Sequence, residues 1–293
     1  MAHINSTRVS FQHKTLFEFE KGFDHESKMS WFQENWTTAF TYCALYVVVI
    51  FAGQEYMKTR PRFNLKIPLT IWSTSLAIFS WFGAVRLWAD FVYFVQTYGW
   101  KASMCDPIFY KGVVGFWSWL FVLSKLPELG DTIFIILRKQ KLIFLHWYHH
   151  ITVLLYAWYS YACYVAPARY FVLMNFTVHA IMYTYYALKA SKCVRIPPWV
   201  NICITSLQLI QMLVGCVVNG YAYLFRKRGE WCSTTDSNLQ VSFMMYFSYL
   251  VLFAHFFYIA YVDKKKAGSS SAFACKSSLD RRISNGEVSK KEQ

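Results

Sequence analysis

The sequence predicts an all-α integral membrane protein with seven transmembrane helices, and its composition and hydropathy pattern are the two observations that predict it. Hydrophobic residues make up 56% of the 293 residues and charged residues 16%, and the mean hydropathy is +0.24. About 20 predominantly apolar residues are enough to cross a bilayer as a helix. Seven such spans follow one another along the chain: 37–56, 68–94, 113–136, 142–162, 168–189, 199–225 and 238–262.

Lysines and arginines between the spans predict how the chain is oriented. The loops after spans one, three and five, together with Lys264, Lys265 and Lys266 directly after span seven, contain thirteen of them, against six in the other loops. Because basic loops stay in the cytosol, we expect a lumenal segment over 1–36, a membrane domain over 37–262 and a cytosolic tail over 263–293. The net charge of +14 therefore reflects topology and does not indicate nucleic-acid binding.

The two ends of the chain carry signals for modification and sorting. Asn5 begins an Asn-Ser-Thr sequon on the predicted lumenal side, where glycosylation takes place. Lys290 and Lys291, next to the carboxyl terminus, resemble the di-lysine retrieval signal of endoplasmic reticulum membrane proteins. The rest of the tail is rich in serine and charge, which predicts disorder. We therefore expect a multi-pass protein of the endoplasmic reticulum membrane.

The eight cysteines form no CxxC pattern and no metal-ligand spacing. Cys43, Cys203 and Cys216 lie inside apolar spans and Cys163 at the edge of one, where a small buried thiol is ordinary. Cys105 and Cys232 differ, because the predicted topology places them in two lumenal loops, after spans two and six. The lumen is an oxidising compartment. We therefore predict a disulfide between Cys105 and Cys232.

Three histidines interrupt the apolar residues of span four, at His146, His149 and His150. With 3.6 residues per turn, these spacings place all three on one face of a helix. Ionisable residues within a membrane span are energetically expensive, and they face the protein interior or a water-filled cavity. The cluster therefore predicts a functional site.

Three further spans carry polar residues at helical spacing, and with span four they predict a shared polar cavity. Each stripe alone is compatible with contacts between helices. The stripes are Lys125, Glu128, Asp131 and Thr132 on span three, Asn175, His179, Met182, Tyr183 and Tyr186 on span five, and Thr205, Gln208 and Gln211 on span six. On span two, Arg86 and Asp90 at i and i+4 predict an intrahelical ion pair.

The histidines admit three classes of function. Membrane di-iron desaturases and hydroxylases also use an HxxHH cluster, but they need further histidine ligands, and His3, His13 and His25 lie in the amino-terminal segment. Alternatively, a neutral imidazole buried in an apolar span can attack an activated acyl group such as a coenzyme A (CoA) thioester. A non-catalytic lipid transporter, with polar stripes along the path of its cargo, is the third class.

Four motifs occur in order along spans three to six: Lys125-x-x-Glu128-x-x-Asp131-Thr132, His146-x-x-His149-His150, Asn175-x-x-x-His179-x-x-Met182-Tyr183-x-Tyr185-Tyr186 and Thr205-x-x-Gln208-x-x-Gln211. Together they resemble the very-long-chain fatty acid elongases, which are membrane 3-oxoacyl-CoA synthases. The resemblance runs from about Trp31 to Tyr261. The Trp147-Tyr148 pair within the histidine cluster is similar to the branch that acts on saturated and monounsaturated long chains.

The resemblance implies a fold in which spans two to seven enclose a narrow acyl tunnel that opens to the cytosol. It implies the condensation of a long-chain acyl-CoA with malonyl-CoA to 3-oxoacyl-CoA, CO2 and CoA, the first step of the elongation cycle, with no bound cofactor or metal. By similarity, His149 attacks the acyl thioester to give an acyl-imidazole, and His179 lies beside it. His146 and His150 complete the catalytic set.

The resemblance also implies substrate contacts and partners. The residues assigned to substrate binding are Lys125, Glu128, Asp131, Asn175, Tyr183, Tyr186, Gln208 and Gln211 in the spans, and Arg138, Lys139, Lys141 and Lys192 at the cytosolic face. The four cytosolic residues are candidates for the CoA phosphates. The implied partners are the lipid bilayer, the other enzymes of the elongation cycle and a second copy of the chain in a homodimer.

Overall fold

The computed structural model describes residues 8–263, which contain nine α-helices. They are α1 (His25–Asn35), α2 (Thr38–Lys58), α3 (Lys66–Cys105), α4 (Gly112–Glu128), α5 (Gly130–Leu137), α6 (Phe144–Ala162), α7 (Ala168–Ser191), α8 (Trp199–Lys227) and α9 (Asp236–Phe257). Short 3-10 helices cover Glu18–Glu20 and Pro107–Tyr110, and a π-helix covers Tyr258–Asp263. Asn5, Lys290 and Lys291 lie outside the described residues, as does the tail beyond Asp263, so the predictions for them stay predictions.

Within residues 8–263, four helices are long and apolar enough to cross a membrane: α2, α3, α8 and the helix Asp236–Asp263. The helices α6 and α7 have 19 and 24 residues, but they carry the histidines and a polar stripe that lower their hydropathy. The described residues form no β-strand. The all-α membrane fold class is therefore confirmed, whereas the number of seven crossings stays a prediction.

The expectation of one continuous helix over span three is wrong, because two helices, α4 and α5, meet at Leu129. Pro127 lies in the last turn of α4, where it lacks a backbone donor and restricts the residue before it. Gly130 follows the break, and a Cβ atom there would lie 2.9 Å from the Trp72 ring. The polar residues of span three are thus divided between two helices.

The helices α3 and α7 pack closely against each other. At Gly83 of α3, an added Cβ atom would lie 2.5 Å from the ring of Phe176 on α7, so a larger residue would collide with it. The indole N–H of Trp88 donates to Thr177 Oγ1 across the same contact, at 3.0 Å. This contact holds α7, which carries Asn175 and His179, against α3.

The amino-terminal segment packs onto the helices through α1. Asp24 caps this helix, because its side chain accepts hydrogen bonds from the backbone N–H groups of Glu26 and Ser27. Phe32 is fully buried, and its ring lies 5.2 Å from that of Trp158 on α6. The segment before the first span is therefore part of the hydrophobic core.

The predicted ion pair between Arg86 and Asp90 is wrong, because each side chain binds a partner on another element. Arg86 donates from Nε and Nη2 to the two carboxylate oxygens of Glu20, at 2.9 and 2.7 Å. Asp90 accepts from Arg169 Nη1 on α7 at 3.2 Å and from the backbone N–H of Phe11 at 2.9 Å. These partners are distant in sequence, so the i, i+4 spacing gave no sign of them.

A disulfide joins Cys105, at the end of α3, to Cys232, between α8 and α9, which is the pair expected from the sequence. Next to it, the backbone N–H of Ser233 donates to the Cys105 carbonyl at 3.0 Å. The backbone N–H of Ala166, between α6 and α7, donates in turn to the Ser233 carbonyl at 2.7 Å. Three connecting segments are thus tied together at one end of the helices.

The buried carboxylate of Glu20 makes the fold sensitive to pH. Its side chain also accepts from Trp117 Nε1 at 2.7 Å. Burial raises the pKa of the Glu20 carboxyl, but hydrogen bonds from Trp117, the Phe17 backbone and Arg86 outweigh it and hold the pKa below its usual value. A carboxyl with a lowered pKa stabilises the fold above its unfolded pKa, and the contribution is lost as the pH falls.

We expect Glu20→Gln to destabilise the protein by about 2 kcal/mol at neutral pH, because it leaves Arg86 without its anionic partner. The deficit should shrink as the pH falls below the ordinary glutamate pKa of about 4.3 and through the lower pKa of the carboxyl in the folded protein. Thermal unfolding of both proteins in one detergent, from neutral to acidic pH, measures this. Glu18→Gln, at an exposed carboxylate that pairs with Lys21, is the matched control. A deficit that stays constant over the pH range would contradict the assignment.

Candidate active site

A cavity lies among α4, α6, α7, α8 and α9, and its wall is mostly aromatic and apolar. It encloses about 640 Å³ of space not occupied by protein atoms, open solvent included. The apolar wall includes Phe121, Val153, Phe171, Met212, Tyr246 and Tyr249. Three residues of the predicted polar stripes, His149, Asn175 and Gln211, also line it. The cavity therefore combines an apolar wall with a few polar groups.

The three histidines of α6 have different surroundings. His146 Nε2 lies 2.9 Å from Thr132 Oγ1 on α5. His150 is buried, with its ring 4.5 Å from the ring of His146. Of the three, His149 lines the cavity, and the hydroxyl of Tyr249 donates to its backbone carbonyl at 3.3 Å. The structure thus singles out His149 as the imidazole that a ligand in the cavity can reach.

Lys125 and Glu128 of α4 form an ion pair that faces α7, with Lys125 Nζ at 2.7 and 2.9 Å from the two carboxylate oxygens. The two side chains are only 1% and 4% exposed. Asn175 accepts from Lys125 Nζ through Oδ1 at 3.1 Å, and its Nδ2 lies 3.1 Å from His179 Nε2. His179 Nδ1 lies 3.9 Å from Glu128 Oε2. These four side chains form a closed loop of polar contacts, called here the polar ring.

Asp131 lies outside the polar ring and connects three helices. Its Oδ2 accepts from the hydroxyl of Tyr183 on α7 at 2.6 Å, and its Oδ1 from the indole N–H of Trp72 on α3 at 2.7 Å. Both carboxylate oxygens are therefore engaged by protein donors. The arrangement supports a positioning role for Asp131 and Tyr183.

The other predicted site residues lie outside the cavity wall and the polar ring. Gln208 Nε2 donates to Met182 Sδ at 3.5 Å, and Tyr186 is 43% exposed. The basic residues near the helix ends are exposed: Arg138, Lys139, Lys141 and Lys192. Of these, Lys139 Nζ donates to the backbone carbonyl of Lys58 at 3.2 Å.

Two hydroxyl groups that support the site were missed by sequence reasoning. Ser124 Oγ donates to Glu128 Oε1 at 2.8 Å, and the hydroxyl of Tyr46 on α2 lies 2.7 Å from Thr132 Oγ1. Serine and tyrosine are common in membrane helices and carry no charge, so their spacing does not mark them. The one sequence signal that could have identified Ser124 is its position next to Lys125 in the chain.

Within residues 8–263, no three histidine, cysteine, aspartate or glutamate side chains come together in a metal-binding arrangement. A di-iron centre needs several imidazole and carboxylate ligands converging on the metals. Glu128 is the carboxylate of the polar ring and lies near His179, but it already binds the Lys125 ammonium group. The geometry of this part of the chain gives the di-iron alternative no support.

We expect Glu128→Gln to destabilise the protein by roughly 3–5 kcal/mol, because Lys125 would remain as a buried ammonium without a counter-charge. The double variant Lys125→Met with Glu128→Gln should regain most of that stability, because it removes both charges. Thermal unfolding of the single and double variants measures the difference. Glu55→Gln is the matched control, because it breaks an exposed i, i+3 pair with Lys58. A double variant as unstable as Glu128→Gln would show that the uncompensated charge is not the cause.

Residues 31–269 match the family described as ELO: GNS1/SUR4. The very long chain fatty acid elongase 6 of Drosophila melanogaster is 51% identical over 258 residues, which cover 87% of this chain and 81% of the relative. The human protein of the same name is 52% identical over 251 residues, or 85% and 94% of the two chains. Human very long chain fatty acid elongase 3 is 47% identical over 266 residues, or 89% and 97%. The chain that carries the polar ring and the His149 cavity therefore belongs to the ELO: GNS1/SUR4 family.

Proposed function

We propose that the protein condenses a long-chain fatty acyl-CoA with malonyl-CoA to give 3-oxoacyl-CoA, CO2 and free CoA, the first step of fatty acid elongation. One observation carries the proposal: His149 lines a largely apolar cavity that Asn175 of the polar ring also lines. The relatives named very long chain fatty acid elongases support elongation as the overall process. The elongase 6 relatives also support the branch inferred from the Trp147-Tyr148 pair.

In the first half-reaction, the acyl chain lies along the aromatic wall of the cavity and its thioester lies at His149. The lone pair of the neutral imidazole attacks the thioester carbon, so a C–N bond forms. The C–S bond then breaks, and CoA leaves as the thiolate, which takes up the proton that the acylated imidazole releases from its other ring nitrogen. The product is an acyl-imidazole on His149. Because an acyl-imidazole is about as activated as a thioester, this transfer is nearly balanced in free energy.

In the second half-reaction, malonyl-CoA loses CO2, and the electron pair of the broken C–C bond attacks the acyl carbon. The C–N bond to His149 breaks, and 3-oxoacyl-CoA leaves. Overall, one proton is consumed and the imidazole is regenerated. His179 contributes from the polar ring, while His146 and His150 hold the α6 face in place. No metal or organic cofactor takes part.

The membrane arrangement that fits this chemistry has seven crossings, with spans two to seven around the acyl tunnel. The amino terminus lies in the lumen of the endoplasmic reticulum, where Asn5 is glycosylated, and the carboxyl terminus lies in the cytosol. The disulfide between Cys105 and Cys232 supports this orientation, because it lies at the predicted lumenal end. The exposed lysines and arginines of the opposite loops would meet the CoA phosphates: Arg138, Lys139, Lys141 and Lys192.

Partners follow from the same chemistry. The 3-oxoacyl-CoA product must be reduced and dehydrated before another round, so we expect contact with the other enzymes of the cycle in the same membrane. We also retain a homodimer as part of the proposal. Lys125, Glu128 and Asp131 are assigned to positioning and not to substrate, because protein groups engage their charged atoms.

We expect purified wild-type protein to release labelled CO2 from malonyl-CoA when a long-chain acyl-CoA is present, and His149→Ala to lose several orders of magnitude of that rate, because the covalent nucleophile is gone. Without malonyl-CoA, mass spectrometry should find the acyl group on His149. His255→Ala is the matched control, because this exposed histidine of α9 lies outside the cavity wall.

Two results would overturn this assignment. A His149→Ala rate above about a tenth of wild type is too fast for loss of the nucleophile, and an adduct on a cysteine such as Cys216 would indicate a thiol mechanism. Absence of CO2 release by folded wild-type protein would instead favour the transporter.

We expect activity to be independent of metal. Chelator treatment followed by elemental analysis should leave the condensation rate unchanged and show no stoichiometric iron or zinc, because the proposed chemistry uses an imidazole nucleophile alone. The control is the same treatment applied to a known di-iron membrane enzyme, which should lose activity. Two irons per chain, with loss of activity on their removal, would restore the di-iron alternative.

A further inference from the structure

We propose that the side-chain amide of Asn175 donates the hydrogen bond that stabilises the oxyanion formed when His149 attacks the acyl thioester, and that Lys125 orients this amide. The inference rests on the proposed condensation, and it deepens that proposal by assigning the donor. Preorganised donors aimed at a developing oxyanion are among the largest contributions to acyl-transfer catalysis. The polar ring determines which of its groups can act in this way.

The orientation of the Asn175 amide is dictated by Lys125. Lys125 Nζ lies 3.1 Å from one terminal atom of the amide. An ammonium group only donates hydrogen bonds, so the atom facing it must be the carbonyl oxygen. The NH2 group of Asn175 therefore points toward His179 Nε2, which lies 3.1 Å away. The choice between the two amide orientations follows from charge.

This orientation fixes the tautomer of His179. Because Asn175 donates to Nε2, that nitrogen must present its lone pair, and the proton of the neutral imidazole lies on Nδ1. Nδ1 is 3.9 Å from Glu128 Oε2, a position that favours an N–H group facing the carboxylate. On the Asn175 side, His179 therefore accepts a hydrogen bond and has none to give to an oxyanion. His179 is also not among the residues that line the cavity.

Asn175 has a second N–H group to offer. An amide NH2 carries two donors, and among the described residues its nitrogen makes one hydrogen bond, to His179. Asn175 lines the same cavity as His149. The Lys125 ammonium draws electron density toward Oδ1, which strengthens the N–H donors of the same amide. A polarised and fixed donor thus lies on the wall that the reacting thioester must approach.

Gln211 is the competing donor, because its side chain also lines the cavity. It is buried on α8, but no hydrogen bond within the described residues fixes its amide, whereas Asn175 is held from both sides. A donor that must reorient during the reaction contributes less than one that is already in place. The geometry therefore favours Asn175.

The test follows acylation alone, as release of the CoA thiol from a long-chain acyl-CoA without malonyl-CoA, on purified full-length protein. Wild type should release about one thiol per chain, as the acyl-imidazole intermediate of the proposal requires. Asn175→Asp and Asn175→Ser should acylate roughly 100- to 1,000-fold more slowly, because the donor is missing. The acyl-CoA concentration for half-maximal rate should change less than about threefold, because the oxyanion exists only in the transition state.

Two controls separate donation from a structural role. Thr177→Val alters α7 at its contact with Trp88 and should acylate at the wild-type rate. His179→Gln keeps an oxygen that can accept from Asn175, so it should slow acylation less than about tenfold, even if later steps suffer. If Asn175 served only to hold His179, His179→Gln would be as slow as Asn175→Asp.

The outcomes distinguish this inference from the proposed function. Wild type that releases CO2 in the complete reaction but no thiol in the half-reaction would overturn the acyl-imidazole step itself. Normal wild-type release with Asn175 variants within about threefold of it would overturn the donor assignment and leave the function standing. If neither Asn175 variant folds, the double variant Lys125→Met with Glu128→Gln is the test instead. Without Lys125, the side-chain amide of Asn175 is free to flip. If the double variant acylates within about threefold of the wild-type rate, the proposal is rejected.

Discussion

An ammonium group and a carboxylate lie side by side in the apolar interior, at Lys125 and Glu128 of α4. Removing two such charges from water is expensive, and close pairing with further hydrogen bonds is what makes it tolerable. Ser124 and Asn175 supply those hydrogen bonds. The need to satisfy Lys125 thus draws α7 against α4, and this contact determines where His179 lies.

The contrast among the α6 histidines shows how tertiary surroundings assign roles to identical residues. His146 meets a hydroxyl on α5, His150 is buried beside it, and His149 reaches the cavity. Helical spacing predicted correctly that these side chains share one face, because it depends only on helix geometry. It could not assign them different roles, since those depend on contacts with two other helices, α5 and α9. The choice of His149 came from the family resemblance, and the structure supplies a geometric reason for it.

The same distinction explains how far the fold could be predicted. Apolar runs located the helices α2, α6, α7 and α8 to within a few residues, because burial in lipid requires a continuous apolar helix. The break in span three depended on Pro127 and on the Trp72 ring that meets Gly130. The sequence displays the proline, but it does not show which ring will pack at the break.

The error at Arg86 and Asp90 has a different cause, which is reliance on local partners. Arg86 and Asp90 have the spacing of an ion pair, yet Glu20 and Arg169 bind them instead. Glu20 belongs to a polar segment with no periodic pattern, so nothing in the sequence marked it as buried. The Cys105–Cys232 pair could be expected because compartment chemistry limits which cysteines can oxidise, and this constraint does not depend on packing.

The distribution of tertiary contacts also bears on how a substrate reaches His149. The end of α3 is held by the disulfide at Cys105 and by the Arg8–Asp106 ion pair. At the opposite end, the described connecting loops are joined by hydrogen bonds without a disulfide: the Phe63 N–H donates to the Leu137 carbonyl at 3.0 Å, and Lys139 Nζ to the Lys58 carbonyl at 3.2 Å. Regions with fewer contacts open at lower free-energy cost.

His149 lies close to the loosely held end of its helix. It is five residues from the start of α6, or about 8 Å at 1.5 Å per residue, and about 20 Å from the end of the helix. A thioester at His149 would therefore leave its CoA group near the basic loops, while its acyl chain extends toward the disulfide-tied end. This polarity agrees with the proposed orientation, in which the basic loops face the cytosol and a charged CoA never has to cross the apolar interior.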